Sequence, residues 1–202
     1  MAVSPRLKTL LNAQRVKYST QTHPTVYTAQ EIAAAQHVPG RQLAKCVLVK
    51  TPGGVVLAVL PAIYRVDLKK LKALLRAKTI RIASETDIKQ AFPDVEVGAM
   101  SPFGNLYQVP TVVDKSLGTS GDIVCNAGTH TETLKVSYRD FERLVKPRVG
   151  SFAQSLTAAK PKKSSRPSKK SRKAVRKRTG ARRTSPSTRP TASLRASKKR
   201  RR

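Results

Sequence analysis

Apolar residues recur along this chain with two alternating rhythms. Leu7, Leu10 and Leu11 follow Ser4-Pro5 at helical spacing and predict an amphipathic helix running to about Val16. A short strand, Lys17 to Thr22, then leads into His23-Pro24. Thr28-Ala29-Gln30-Glu31 has the Thr-x-x-Glu spacing of a capping box and opens an alanine-rich helix through Gln36, which Pro39-Gly40 ends. Lys45 to Lys50 and Val55 to Leu60 are β-branched and aliphatic runs separated by Thr51-Pro52-Gly53-Gly54, the pattern of a β-hairpin. Both runs are almost continuously apolar, so the sheet they join is expected to be covered on both faces or curled around a core.

Beyond the hairpin, Asp67 caps a helix carrying Leu68, Leu71, Leu74 and Leu75. Thr79 to Ala83 reads as a strand, and Ser84 caps a helix that stops at Phe92-Pro93. Gly98 to Gly104 is an irregular loop holding glycine, proline and phenylalanine. Strands follow at about Val109 to Val113, Ile123 to Asn126 and Thr133 to Ser137, then a last helix from Tyr138 to Val145 before Pro147. There is no internal repeat. The expected fold class is α+β: a single compact domain with a mixed, curled β-sheet and surrounding helices.

Charge divides the chain. Residues 1–156 carry 21 Lys/Arg against 11 Asp/Glu, whereas residues 157–202 carry 20 Lys/Arg and no acid. The second stretch has only Val175 and Leu194 as large aliphatics, too little apolar surface to offset chain entropy. The expected organisation is a folded domain over 1–156 and a disordered basic tail over 157–202. Two cysteines, Cys46 and Cys125, give no disulfide framework and suit a reducing compartment. No run approaches the roughly 18 apolar residues of a membrane helix, and the first residues lack a secretory signal. A cytoplasmic protein without a membrane partner is the expectation.

Three places in the domain could carry chemistry. Lys45 opens an apolar strand just after Pro39-Gly40-Arg41-Gln42-Leu43-Ala44; it is either a strand-end charge reaching water or a cation aimed into a pocket. Gly98-Ala99-Met100-Ser101-Pro102-Phe103-Gly104 is either an ordinary connection or a rigid loop whose amides converge on an oxyanion or a water. Asn126-Ala127-Gly128-Thr129-His130 ends a strand, and His130 is a surface histidine or an acid, base or substrate contact. His23, His37 and His130 have no metal-ligand spacing, and nucleotide-binding and serine-hydrolase motifs are missing, so neither a metal nor a cofactor is expected. A thiolate at Cys46 is disfavoured, because neighbours on a strand point to opposite faces.

In this order and with these gaps, the segments resemble the YbaK / prolyl-tRNA-synthetase-associated domain family. Thr28 to Ala33, Val38 to Lys45, Gly98 to Tyr107, Asn126 to His130 and Phe141 to Val145 carry the resemblance, which covers roughly residues 5 to 150. It implies a mixed α/β domain that hydrolyses wrongly charged aminoacyl-tRNA in trans. Lys45 corresponds to the family's lysine and Gly98 to Pro102 to its Gly-x-x-x-Pro loop. The resemblance implies that Lys45 engages the tRNA 3′ end and that Gly98, with Ala99, Met100, Ser101 and Pro102, holds the aminoacyl group or the attacking water. Asn126, Gly128 and His130 are the further candidates for substrate contact, and Arg41 for contact with nucleic acid. Cys46 departs from the polar residue common in relatives. The stretch around Gly128 and His130 departs as well, leaving the edited amino acid open among alanine, cysteine, serine and threonine.

In the tail, Lys169, Lys170, Arg176, Lys177 and Arg178 mark denser clusters suited to phosphates without sequence preference. Its expected partner is tRNA, with DNA or ribosomal RNA as the alternative and an aminoacyl-tRNA synthetase as a further candidate partner. The competing function is a non-enzymatic nucleic-acid-binding protein; a redox protein built on Cys46 is a third.

Overall fold

The computed structural model describes residues 4–155; the expected tail, with Lys169, Lys170, Arg176, Lys177 and Arg178, lies outside the described residues. The chain opens with α1 (Pro5–Ala13), β1 (Tyr18–Thr22) and α2 (Ala29–Ala35), followed by the hairpin β2 (Leu43–Thr51) and β3 (Gly54–Pro61). Next come β4 (Tyr64–Val66), α3 (Leu68–Leu75), β5 (Arg81–Ile82) and α4 (Glu85–Ala91). After a 3-10 turn at Gly104–Tyr107 come β6 (Thr111–Asp114) and a second 3-10 turn at Leu117–Ser120, and β7 (Asp122–Asn126), β8 (Glu132–Ser137), α5 (Tyr138–Val145), β9 (Arg148–Gly150) and β10 (Ala153–Ser155) complete it.

The strands build one mixed sheet in the order β1-β8-β7-β2-β3-β6-β9, with β5 pairing β2, while β10 and β4 form a separate antiparallel pair. The central hairpin explains its own apolar runs. On β2, Ala44, Cys46 and Leu48 face the main core with Leu57 and Val59 of β3, α1, Phe103, β8 and Phe141. Val47 and Val49 face the opposite side, where Ala58, Leu60, Leu71 and Phe152 form a second cluster beneath β4 and α3. A third, smaller cluster joins Leu43 to Ile32, Ala62 and Val124 under α2. A strand covered on both faces has no polar side to show in its sequence.

The capping predictions hold: Thr28 and Glu31 form the reciprocal box at α2, and Asp67 and Ser84 accept backbone amides at α3 and α4; Ser137 does the same at α5. Several boundaries differ. The first helix ends at Ala13, and Arg15, at φ 52°, turns the chain so that Val16 reaches the core from outside the helix. β6 starts at Thr111, because Pro110 has no amide to donate and only its carbonyl joins the ladder, accepting from Leu57 at 2.9 Å. β4, β9 and β10 are three residues each, too short to show a period.

β10 is held by a buried carboxylate. Asp114 accepts from the amides of Phe152 (2.6 Å) and Ala153 (2.7 Å) and from the Ser116 hydroxyl (2.6 Å). Burial pushes the Asp114 carboxyl up, but the bonds from Ser116, Phe152 and Ala153 outweigh it and hold the group below the ordinary carboxylate value.

Candidate active site

The register of β2 creates an opening. On one edge its first residues, Leu43 and Ala44, pair with β7, and Val49 and Lys50 pair with β5. Between them, residues 45–48 have no strand partner on that edge. A cavity of about 280 Å³ opens beside this interval, walled by Leu43, Ala44, Lys45 and Cys46 of β2, by Tyr27 to Gln30 and Ile32 around the start of α2, and by Gly98 and Asn126.

Lys45 occupies a break between apolar clusters. It belongs to the same face of β2 as Leu43 and Val47, and these belong to two different clusters, one under α2 and one under β4. Its half-buried side chain runs between them, and Nζ donates to the Tyr64 carbonyl at 2.5 Å. Burial, and then the neighbouring Arg65 charge, hold the Lys45 ammonium below the ordinary lysine value. The cation is thus poorly solvated and bonded to a neutral acceptor, which leaves it ready to gain from an anionic ligand.

Gly98 lines the same cavity as Lys45. Its φ of 95° lies in the region that glycine adopts freely, and a Cβ there would stand 3.3 Å from the His130 Cε1. The turn after β7 clamps this glycine. The His130 amide donates to the Glu96 carboxylate at 2.7 Å, and the Glu96 amide donates to the Gly128 carbonyl at 3.1 Å. His130 Nε2 lies 2.9 Å from the Val97 carbonyl and so carries the ring proton there, while the Asn126 amide reaches the Gly98 carbonyl at 3.5 Å. His130 Nδ1 and Asn126 Oδ1 are buried without a partner among the described residues.

The candidates from the sequence therefore separate. Lys45, Gly98 and Asn126 line one cavity. Gly128 and His130 are buried behind Gly98 and set its backbone. Ala99, Met100, Ser101 and Pro102 do not wall the cavity: they are buried, with Met100 and Phe103 in the main core, and the Ala99 amide is already bonded to the Glu96 carbonyl at 2.9 Å. The Ala99 amide is thus committed within the loop, and the loop's apolar side chains are drawn inward. Arg41 is exposed in the turn before β2, where its carbonyl accepts from Ser120, and does not wall the cavity.

Sequence reasoning missed Tyr27, Thr28 and Gln30 as cavity residues, since the Thr-x-x-Glu pattern was informative only about where a helix begins. It also kept Cys46 away from Lys45 by strand alternation, yet both reach the cavity because it opens at the strand's unpaired edge. Burial, then proximity to Cys125, push the Cys46 thiol well above its ordinary value, and burial pushes Cys125 up to about 12. Both stay protonated at neutral pH, which removes the basis for a thiolate-centred chemistry.

Outside the cavity, charge is uneven. Residues 65–82 hold seven Lys/Arg against the single Asp67. Arg65, Lys69, Lys70, Lys72, Arg76, Lys78 and Arg81 are all exposed. The described chain ends beside this surface: Ser155 of β10 pairs with Tyr64, the residue whose carbonyl holds Lys45.

Comparison with known proteins identifies relatives of this small mixed-sheet α/β domain with its glycine-backed cavity and desolvated lysine. Residues 23–144 match the aminoacyl-tRNA editing domain. The chain is 27% identical over 148 residues to the prolyl-tRNA editing protein ProX of Acetoanaerobium sticklandii, covering 70% of this chain and 90% of that protein. It is 31% identical over 81 residues to the proline–tRNA ligase of Thermosipho africanus, spanning 40% of this chain and 14% of the ligase. A solved structure described as a candidate trans-editing enzyme for prolyl tRNA synthetase superposes with a TM-score of 0.66 at 20% identity, covering 76% of this chain and 99% of that one. The chain belongs to the aminoacyl-tRNA editing domain family.

Proposed function

We propose that this protein is a trans-acting deacylase that hydrolyses the ester joining a wrong, small amino acid to the 3′ end of tRNA. The observation that carries this reading is the shared cavity, which Lys45, Gly98 and Asn126 all line. Water attacks the ester carbonyl, the carbon–oxygen bond to the ribose breaks, and free amino acid and a tRNA 3′ hydroxyl result. An aminoacyl ester is already activated, so positioning and charge stabilisation suffice without a protein nucleophile.

In this reading Lys45 binds the terminal phosphate or the developing oxyanion, exchanging the Tyr64 carbonyl for a negative partner. Gly98 brings backbone, with no side chain in the way, against the reacting ester. Asn126, held to the Gly98 carbonyl, contacts the aminoacyl group, and Gly128 and His130 act through Gly98. About 280 Å³ suits a small amino acid with its ester. Arg41, the cations of residues 65–82 and the tail (Lys169, Lys170, Arg176, Lys177 and Arg178 included) attract the tRNA phosphates. An aminoacyl-tRNA synthetase that releases the mischarged tRNA is the corresponding protein partner.

Hydrolysis of tRNA charged with alanine, cysteine, serine or threonine by the full chain tests the reading. Wild type should clear at least one of them. Lys45→Ala should lower kcat/KM by roughly 100-fold or more, the loss seen when a charge-stabilising donor is removed, with an unchanged thermal melt. No hydrolysis of any of these by wild type, together with salt-sensitive DNA binding, would favour the non-enzymatic alternative.

A further inference from the structure

The cavity has an aromatic rim that the reaction above does not use. Tyr27 is 72% exposed, although it walls the same cavity as Lys45, Gly98 and Asn126. Its backbone is fixed: the Tyr27 and Thr28 amides donate to the Glu31 carboxylate at 3.3 and 3.0 Å within the capping box of α2. Its ring is also braced from behind, lying 4.9 Å from the His130 ring at a tilt of 58°. The result is a preorganised aromatic surface with one side against the fold and the other open at the cavity mouth.

A solvated tyrosine in such a place offers a flat π surface to something that arrives. The other groups at the mouth bind the backbone or the ester of a nucleic-acid terminus; none of them is a platform for a base. An unstacked base recovers stacking on an aromatic ring, and that contact tolerates any base because each has a π face.

We propose that Tyr27 stacks against the 3′-terminal base of the aminoacyl-tRNA, so that the terminal nucleotide is gripped by its base at Tyr27 while its ester lies between Lys45 and Gly98. This rests on the deacylase reading and adds the recognition of the terminal base to it. Stacking on Tyr27 is a binding interaction made equally before and during hydrolysis, so it lowers KM and leaves kcat alone.

A double-mutant cycle on the full chain tests this, with Tyr27→Ala on one side and a mischarged tRNA carrying an abasic 3′-terminal nucleotide on the other. With the natural substrate, Tyr27→Ala should raise KM by roughly 5- to 150-fold, the range of one base–aromatic stack, with kcat within about twofold. Tyr27→Phe and Tyr27→Trp should restore KM. With the abasic substrate, wild type and Tyr27→Ala should become equal. A Tyr27→Ala penalty that persists undiminished on the abasic substrate overturns the proposal, as does a loss confined to kcat, which would mean that the ring merely supports His130 and the Gly98 loop. Should wild type deacylate nothing, the editing reading fails by itself. Binding of uncharged tRNA with and without its terminal base then still decides on Tyr27: equal discrimination by wild type and Tyr27→Ala refutes the stacking.

Discussion

The two faces of β2 are built from neighbouring residues of the same strand and behave differently. Ala44, Cys46 and Leu48 enter one continuous core, closed over by α1, β8, α5 and the buried part of the 98–104 loop. The opposite face is interrupted. Leu43 joins the cluster under α2, Val47 and Val49 join the one under β4 and α3, and Lys45 falls in the break. The continuous face supplies stability, and the interruption supplies a desolvated cation beside a cavity. Site and scaffold are thus separable along one strand with a period of two residues.

The comparison can be broken first on its continuous face. Leu48 is 2% exposed, so Leu48→Ala should destabilise the fold by about 2–5 kcal/mol, read as a lower denaturation midpoint, with the activity of the remaining folded protein unchanged. Equal stability losses from Leu48→Ala and Lys45→Ala would abolish the distinction between the faces. Lys45→Met sharpens it: replacing a poorly solvated ammonium by an apolar chain of similar length should leave stability equal or higher, while deacylation is lost.

A smaller effect is expected at Gly98. Gly98→Ala must place a side chain at φ 95°, 3.3 Å from the His130 ring, and should cost about 1–2 kcal/mol of stability with a reduced kcat. Wild-type stability and rate in this variant would show that the positive φ has no role. The smallest effect concerns pH. The folded Lys45 value lies below the unfolded value of 10.5. Between the two the unfolded chain binds more protons, so this group makes folding stability rise with pH across that window. In the same window the ammonium is lost, so kcat/KM, corrected for spontaneous ester hydrolysis, should fall at a pH below 10.5. An alkaline limb at or above that value would contradict a desolvated Lys45.

Much of this was legible in the amino-acid order. Caps at Thr28, Asp67, Ser84 and Ser137 are local chemistry and mark the starts of α2, α3, α4 and α5 where the residues say they should. The apolar runs of β2 and β3 announced a sheet covered on both sides, and Lys45 stood out as the charge within one of them. What stayed hidden depends on pairing at a distance. Nothing local marks Tyr64 as the acceptor for Lys45, nor that β7 stops pairing at Ala44 and β5 begins at Val49. His130 was visible as a candidate, but its place behind Gly98 follows from a turn 34 residues away from Glu96 in sequence closing on that carboxylate.

The anchoring of both ends of the described chain has a practical consequence. Asp114 grips the Phe152 and Ala153 amides, and β10 ends in register with Tyr64, while Ser4 donates its amide to the Ala127 carbonyl next to Gly128. A change made at either of these junctions, such as a truncation directly after Ser155, therefore falls beside residues that set the site, Tyr64 at one and Gly128 at the other. A label intended to be silent belongs elsewhere, for instance on the Pro52-Gly53 turn between β2 and β3, at the far end of the hairpin from Lys45.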